Sequence, residues 1–184
     1  MLYAKISGYS DYSKQEFEHI LGHFTVAQLN RGEHFDSLKK EKELVAVQLD
    51  GLTRSYFITE SGEEKTTDFC RGGDVLTYSA GLESAMCRIQ ALKDTTIASI
   101  GGDELDAMVK QDSRLQHILM KMMESCLALK SKREIELLSL DGKSSYLKFL
   151  KDFTDIAGEI PQYQIASYLG ISPISLSRIK NKLS

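Results

Sequence analysis

Residues 160–184 read IPQYQIASYLGISPISLSRIKNKLS, and this stretch decides the architecture of the chain. It holds no Asp or Glu and three bases, Arg178, Lys180 and Lys182. Pro161 suits the first turn of a helix, where its missing N–H is not needed, and Ile165, Ala166 and Leu169 then make one inward face. Gly170 ends that helix, because glycine takes the left-handed conformation at low steric cost. Ser172 and Pro173 start the next as N-cap and first-turn residue. In this second helix Leu176, Ile179 and Leu183 share a core-facing side, which turns Ile174, Ser177, Arg178 and Asn181 outward.

Two short helices joined by a turn of about four residues are the arrangement in which the second helix enters the major groove of DNA. An outward Arg178 can hold guanine O6 and N7 with two hydrogen bonds, Asn181 and the serines can assist, and Ile174 can pack on a thymine methyl. Lys180, Lys182, Gln162 and Ser172 suit phosphates, which position a helix without reading sequence. Short helix pairs also occur as plain surface elements, so spacing alone leaves both readings open.

Upstream, the stretch from Ser113 to about Leu140 reads as one long helix without Gly or Pro. Leu115, Met122 and Leu129 recur every seventh residue, with Ile118, Leu119, Ser125 and Cys126 between them. Such a stripe suggests a partner helix, most economically a second copy of the chain, with Leu115, Ile118, Leu119, Met122, Cys126 and Leu129 at the dimer contact; the alternative is that it packs on its own β-domain. LDGKSS, residues 140–145, reads as a hinge into the last helical segment. From about Val26 to Ile100 the texture is short apolar runs broken by turns, with Asp50-Gly51 and Ser61-Gly62 as tight-turn signals, which predicts an antiparallel sandwich or barrel. DELDAMVKQ reads as a short helix after it. SKQEFEHILGHF opens the fold as an amphipathic helix, with Ser13 and Glu16 forming a capping box.

The chain has 184 residues and a formal net charge of −3; without the tail's three bases, 20 basic residues stand against 26 acidic ones, a body of −6. The asymmetry marks the tail as the part suited to a polyanion. Cys70, Cys87 and Cys126 are far apart and lack metal-ligand spacing, so they read as reduced thiols in a cytoplasm. No segment approaches the roughly 20 apolar residues of a membrane span, and the start has no apolar leader. No nucleophile–base pair, metal motif or phosphate loop points to an enzyme, and no cofactor or metal is expected.

The residues from Ile160 to Leu183 closely resemble the helix-turn-helix of the CRP/FNR family, the cyclic AMP receptor protein and its relatives. The resemblance extends along the chain: LDGLTRSYFITESGEEKTTDFCRGGDVL and IQALKDTTIASI are similar to that family's β-roll, and the heptad helix falls where its dimer helix would. It implies an α+β fold in three parts: an N-terminal antiparallel β-roll sensor of the cyclic-nucleotide-binding type over 1–112, a dimerisation helix over 113–140, and a helix-turn-helix over 141–184. It also implies a transcription regulator acting as a homodimer on double-stranded DNA with an inverted-repeat operator. A small-molecule effector and RNA polymerase are the further partners it admits, and a membrane is not among them. Pro173, Ile174 and Arg178 match positions that commonly contact bases, with only Arg178 keeping the family's charged type, so the usual operator sequence is not expected. The sequence given stops at Ser184, where many members continue into a wing; on that reading affinity leans heavily on the dimer.

Cyclic-nucleotide-binding members place a Glu on the ribose and an Arg on the cyclic phosphate, because a buried phosphate needs a paired cation. Here Tyr78 falls at the Glu position, and Ala85 or Met86 at the Arg position. Arg88 is the nearby cation, and strand alternation leaves open whether it points into the pocket or into solvent. Cyclic AMP is therefore not the expected effector. An iron–sulfur cluster would need a cysteine cluster that is lacking, and the four histidines show no haem-ligand spacing. The competing function is a ligand-binding or protein-interaction module on the same scaffold that does not read DNA.

Overall fold

A computed structural model describes residues 11–35, 44–76 and 87–183. The first element, α1 (Lys14–Leu21), carries the expected capping box: Glu16 N–H donates to Ser13 Oγ at 3.2 Å and Ser13 N–H to Glu16 Oε2 at 2.8 Å. Both bonds satisfy donors that a helix start leaves orphaned. The helix stops at Leu21, short of Phe24.

Seven strands follow among the described residues: β1 (Thr25–Leu29), β2 (Leu44–Asp50), β3 (Leu52–Ile58), β4 (Glu64–Arg71), β5 (Val75–Leu76), β6 (Cys87–Ala91) and β7 (Thr95–Gly101). They form two antiparallel sheets, ordered β1-β7-β2-β5 and β4-β3-β6. Ala46, Leu76 and Ile97 from one sheet and Cys70 and Ile89 from the other meet in a shared core. The apolar runs of the sequence are these inward rows. Of the two turn signals, Ser61-Gly62 closes the β3–β4 hairpin, with Gly62 at φ +82°. Asp50-Gly51 does a different job, carrying the chain from β2 in one sheet to β3 in the other, with Gly51 at φ +95°.

Helix α2 (Gly102–Gln111) leads into α3 (Ser113–Ser139), 27 residues long. The first part of the predicted heptad stripe turns toward its own domain. Leu115 and Ile118 are buried at 6% and 3% exposure, packed with Ile100 and Leu105 and with Tyr12, Phe17 and Val47 respectively. Leu119 and Met122 are half-buried against the same clusters. Farther along, Cys126 is half-buried, while Ser125 and Leu129 are exposed. Leu115, Ile118, Leu119 and Met122 are therefore not the dimer contact expected of them: periodicity reports that a stripe exists, not what covers it, and the chain itself covers this one through Met122. The apolar residues α3 leaves outside include Met120, Met123, Leu127 and Leu138, on a different side of the helix.

The segment expected as a hinge is mostly helix. Only Leu140 and Asp141 separate α3 from α4 (Gly142–Asp152), and Asp141 caps α4 by accepting Ser144 N–H at 2.7 Å. Then come α5 (Gln162–Leu169) and α6 (Pro173–Asn181). These helices join a core with the strands: Leu52 and Phe69 pack with Tyr146, Phe149, Ile165, Ala166, Leu169 and Leu176. Burying each such side chain is worth about 1.5–3 kcal/mol, so the C-terminal helices are fastened to the roll and do not hang from the hinge.

Candidate nucleic-acid interface

The helix pair is built by its caps. Gly170 closes α5 at φ +69°, and its N–H meets the carbonyls of Ala166 and Ser167. Ser172 Oγ accepts Ser175 N–H at 3.1 Å, and Pro173 opens α6. Pro161 stands one position earlier than expected, as N-cap of α5. Its missing N–H is equally harmless there.

Behind α6 lies a packed floor. Ile165, Ala166, Leu169 and Leu176 are at 5% exposure or less, and Ile179 is half-buried against them. Leu183, expected to face the core, is 39% exposed because it lies beyond the last residue of α6. In front, Pro173, Ile174, Ser177, Arg178 and Asn181 are exposed, with Ile174 at 66%. Gln162, Ser172 and Lys182 are exposed too, and Lys180 is half-buried. Every residue assigned to the readout face therefore lies on the open side of α6, and none of them is spent on the core.

The expected effector residues are distributed differently. Tyr78, Ala85 and Met86 lie outside the described residues. Arg88 is exposed on β6, while its neighbour Ile89 is 4% exposed inside the roll. Successive strand residues face opposite ways, so Arg88 points to solvent and cannot meet an anion within the roll. The buried cation of this sheet is Arg54, at 3% exposure. It donates to Gln90 Oε1 at 2.9 Å and to Glu64 Oε2, and stacks 4.2 Å from the centre of the Tyr56 ring. Its fork is thus occupied within the sheet.

Sequence reasoning missed a third group, where α5 and α6 meet the rest of the chain. Ser167 bonds to the backbone of β4, Tyr168 packs against Phe69, Phe149 and Phe153, and Arg133 of α3 lies over the Tyr168 ring. Burial pushes the Tyr168 hydroxyl up to about 12, although Arg133 pulls the other way. Ion pairs Arg71–Asp155 and Lys93–Glu159 flank the contact. No local motif announces such contacts, since their partners are far apart in sequence. Cys70 and Cys126 are free thiols, and burial raises both above the usual thiol range.

A β-roll of two antiparallel sheets, a long helix and a capped helix-turn-helix with an exposed face on α6 define a CRP/FNR-type architecture. Over 87% of its length the chain superposes on FixK2 of Bradyrhizobium japonicum, of which it covers 84%, with a TM-score of 0.72 and 22% identity. It covers 83% of a transcriptional regulator of the CRP/FNR family from Eubacterium rectale, using 94% of its own length, at TM-score 0.70 and 18% identity. In sequence it is 26% identical over 159 residues to the regulatory protein HlyX of Actinobacillus pleuropneumoniae, a match that takes in 79% of the chain. It spans 65% of the length of the curated relatives it matches. No family model matches it. The chain thus has the fold of the CRP/FNR-type regulators it is similar to.

Proposed function

We propose that the chain is a homodimeric, DNA-binding transcription regulator that reads an inverted-repeat operator through α6, with an effector other than cyclic AMP. The observation that carries this reading is the division of α6 into two sides. Leu176 is held at 1% exposure in the core, while Ile174, Ser177, Arg178 and Asn181 stand free on the opposite side. A helix with one side fixed and a polar side containing Arg and Asn is suited to base edges. The parts then divide as a roll that senses, a long helix that pairs, and a C-terminal unit that reads.

The pairing surface in this reading is the exposed row Met120, Met123, Leu127 and Leu138 of α3. A second copy offers the same row, which is how a twofold interface buries an apolar stripe. Two recognition helices so related would meet half-sites about one DNA turn, roughly 34 Å, apart. The outward Arg88 is the reason for looking beyond cyclic nucleotides, because the roll would have to neutralise a buried phosphate without it. HlyX is named as a regulatory protein, which agrees with the reading.

Selection from a random double-stranded DNA pool with the purified protein tests the assignment. Recovery of an inverted repeat with a fixed half-site spacing is the expected result. Salt-sensitive binding with no enriched sequence would reject operator reading and favour an interaction module on the same scaffold.

A further inference from the structure

The last turn of α5 is held from two sides. On one side Ser167 Oγ accepts Thr66 N–H at 2.9 Å and donates to the Glu64 carbonyl at 3.1 Å. β4 is an outer strand of its sheet, so this hydroxyl satisfies edge groups that would otherwise need water or another strand. On the other side the Arg133 guanidinium lies 3.8 Å from the centre of the Tyr168 ring, and one of its nitrogens donates to the Tyr168 carbonyl. That carbonyl belongs to the helix end, where carbonyls lack helical partners and the dipole is negative, a site that favours a cation.

Arg133 belongs to α3. Its bond to Tyr168 joins the long helix to α5, while Glu136, three residues further along, pairs with Lys148 of α4 at 3.4 Å. Apolar packing reaches the turn after α5 through Leu137, but farther back along α3 a cavity of about 590 Å³ opens between β4 and the middle of that helix, lined in part by Phe69, Met122, Leu129, Phe153 and Tyr168. A gap of that size leaves the distance between its walls to whatever anchors its rim. Arg133 and Ser167 are such anchors, one to the long helix and one to the sheet. From Tyr168 onward the path is stiff: Leu169, Gly170 and Ile171 lead into α6, and α5 and α6 share the Ile165, Ala166 and Leu176 core.

We propose that Arg133 is a positioning residue for DNA reading: by fixing α5 to α3 it sets the direction in which α6 faces, and so the half-site spacing that a dimer accepts. The inference rests on the proposed DNA-reading function. Ser167 holds the same turn to β4, so a shift of that strand reaches α6 without passing through Leu140 and Asp141. Lysine cannot replace Arg133 in this role, because it keeps the charge but loses the planar stack and the fork.

The test measures binding of the full chain to synthetic inverted repeats of the selected half-site, with the spacing stepped through several base pairs either side of the optimum. Wild type, Arg133→Ala, Arg133→Lys and Ser167→Ala are compared, with thermal unfolding followed in parallel. The expected result is that both Arg133 variants lose discrimination between best and neighbouring spacings by about 3- to 30-fold, with binding to a single half-site unchanged. Ser167→Ala moves the same way. A uniform loss at every spacing together with a lowered melting temperature would show a merely structural role and overturn the proposal. So would an unchanged spacing profile in Arg133→Lys, which serves as the arbiter should Arg133→Ala fail to fold. A wild-type protein that selects no DNA is a different outcome, and it rejects the DNA-reading function itself.

Discussion

Ile174 and Leu176 stand two residues apart on α6, one 66% exposed and the other 1% exposed. Truncating them should therefore separate function from folding. Leu176→Ala is expected to cost about 2–5 kcal/mol in urea unfolding, through lost burial and the cavity left behind. Ile174→Ala should stay within about 0.5 kcal/mol of wild type while changing the preferred base at the position it touches. Equal unfolding midpoints for the two would mean that α6 is not packed as described.

Arg178 and Lys182 are both exposed bases of the tail, and they should differ in what they do. Arg178→Ala is expected to relax preference at one position of each half-site, at about 1–3 kcal/mol. Lys182→Ala should weaken binding to all sequences alike and lower the log–log salt slope by about 1. Titrations at several salt concentrations on the selected operator and a scrambled duplex distinguish the two patterns.

Leu127 is 69% exposed on α3, so the folded subunit does not need it. Leu127→Glu is expected to leave the circular dichroism of the chain unchanged and to convert the proposed dimer to a monomer in sedimentation, because it would bury an unpaired charge at the proposed twofold interface. Leu115→Ala, by contrast, should lower stability by about 2–5 kcal/mol within one subunit. A Leu127→Glu protein that still sediments as a dimer would place the pairing surface elsewhere.

Gly51 and Gly62 share a positive φ but differ in their surroundings. A Cβ on Gly62 would meet nothing within 4 Å, whereas one on Gly51 would come 2.3 Å from Thr95 Oγ1 and 2.6 Å from the Asp94 carbonyl oxygen. Gly62→Ala should cost only the conformational penalty, about 1–2 kcal/mol. Gly51→Ala should cost visibly more in the same denaturation assay, since backbone must move at the corner between the two sheets.

The N-terminal helix is clamped to α3 by Tyr12, Asp112, Arg114 and Glu16. Tyr12 donates to Asp112 at 2.7 Å, and Arg114 bonds both carboxylates. The Arg114 hydrogen bond first, and that of Tyr12 second, bring the Asp112 carboxyl down to about 2. A depressed carboxyl stabilises the fold above its ordinary range and loses that contribution as pH falls from about 4 through about 2. Asp112→Asn keeps an oxygen to cap α3 but not the charge, so its stability should vary less over that window. Denaturant midpoints between pH 5 and pH 2 would check this, and parallel curves for the two proteins would disprove it.

The order of elements and the exposed face of α6 were legible in sequence because their causes are local. Ser13 with Glu16, Gly170, and Ser172 with Pro173 act within a turn of where they stand, and the exposure of Ile174, Ser177, Arg178 and Asn181 follows from helical period once the caps are placed. What covers a stripe is a different kind of fact. Leu115 and Leu129 belong to one heptad, yet the first is buried beneath its own roll and the second is open, since only the path of the distant strands decides where the cover ends. Arg88 posed the same problem, and its direction was settled by the β3–β6 register that pairs it with Tyr56 and turns Ile89 inward. The clamp of Arg133 and Ser167 on α5 joins parts of the chain 35 and 101 residues apart. Contacts of that range leave no mark in a local pattern, because each residue is ordinary until folding brings its partner into reach.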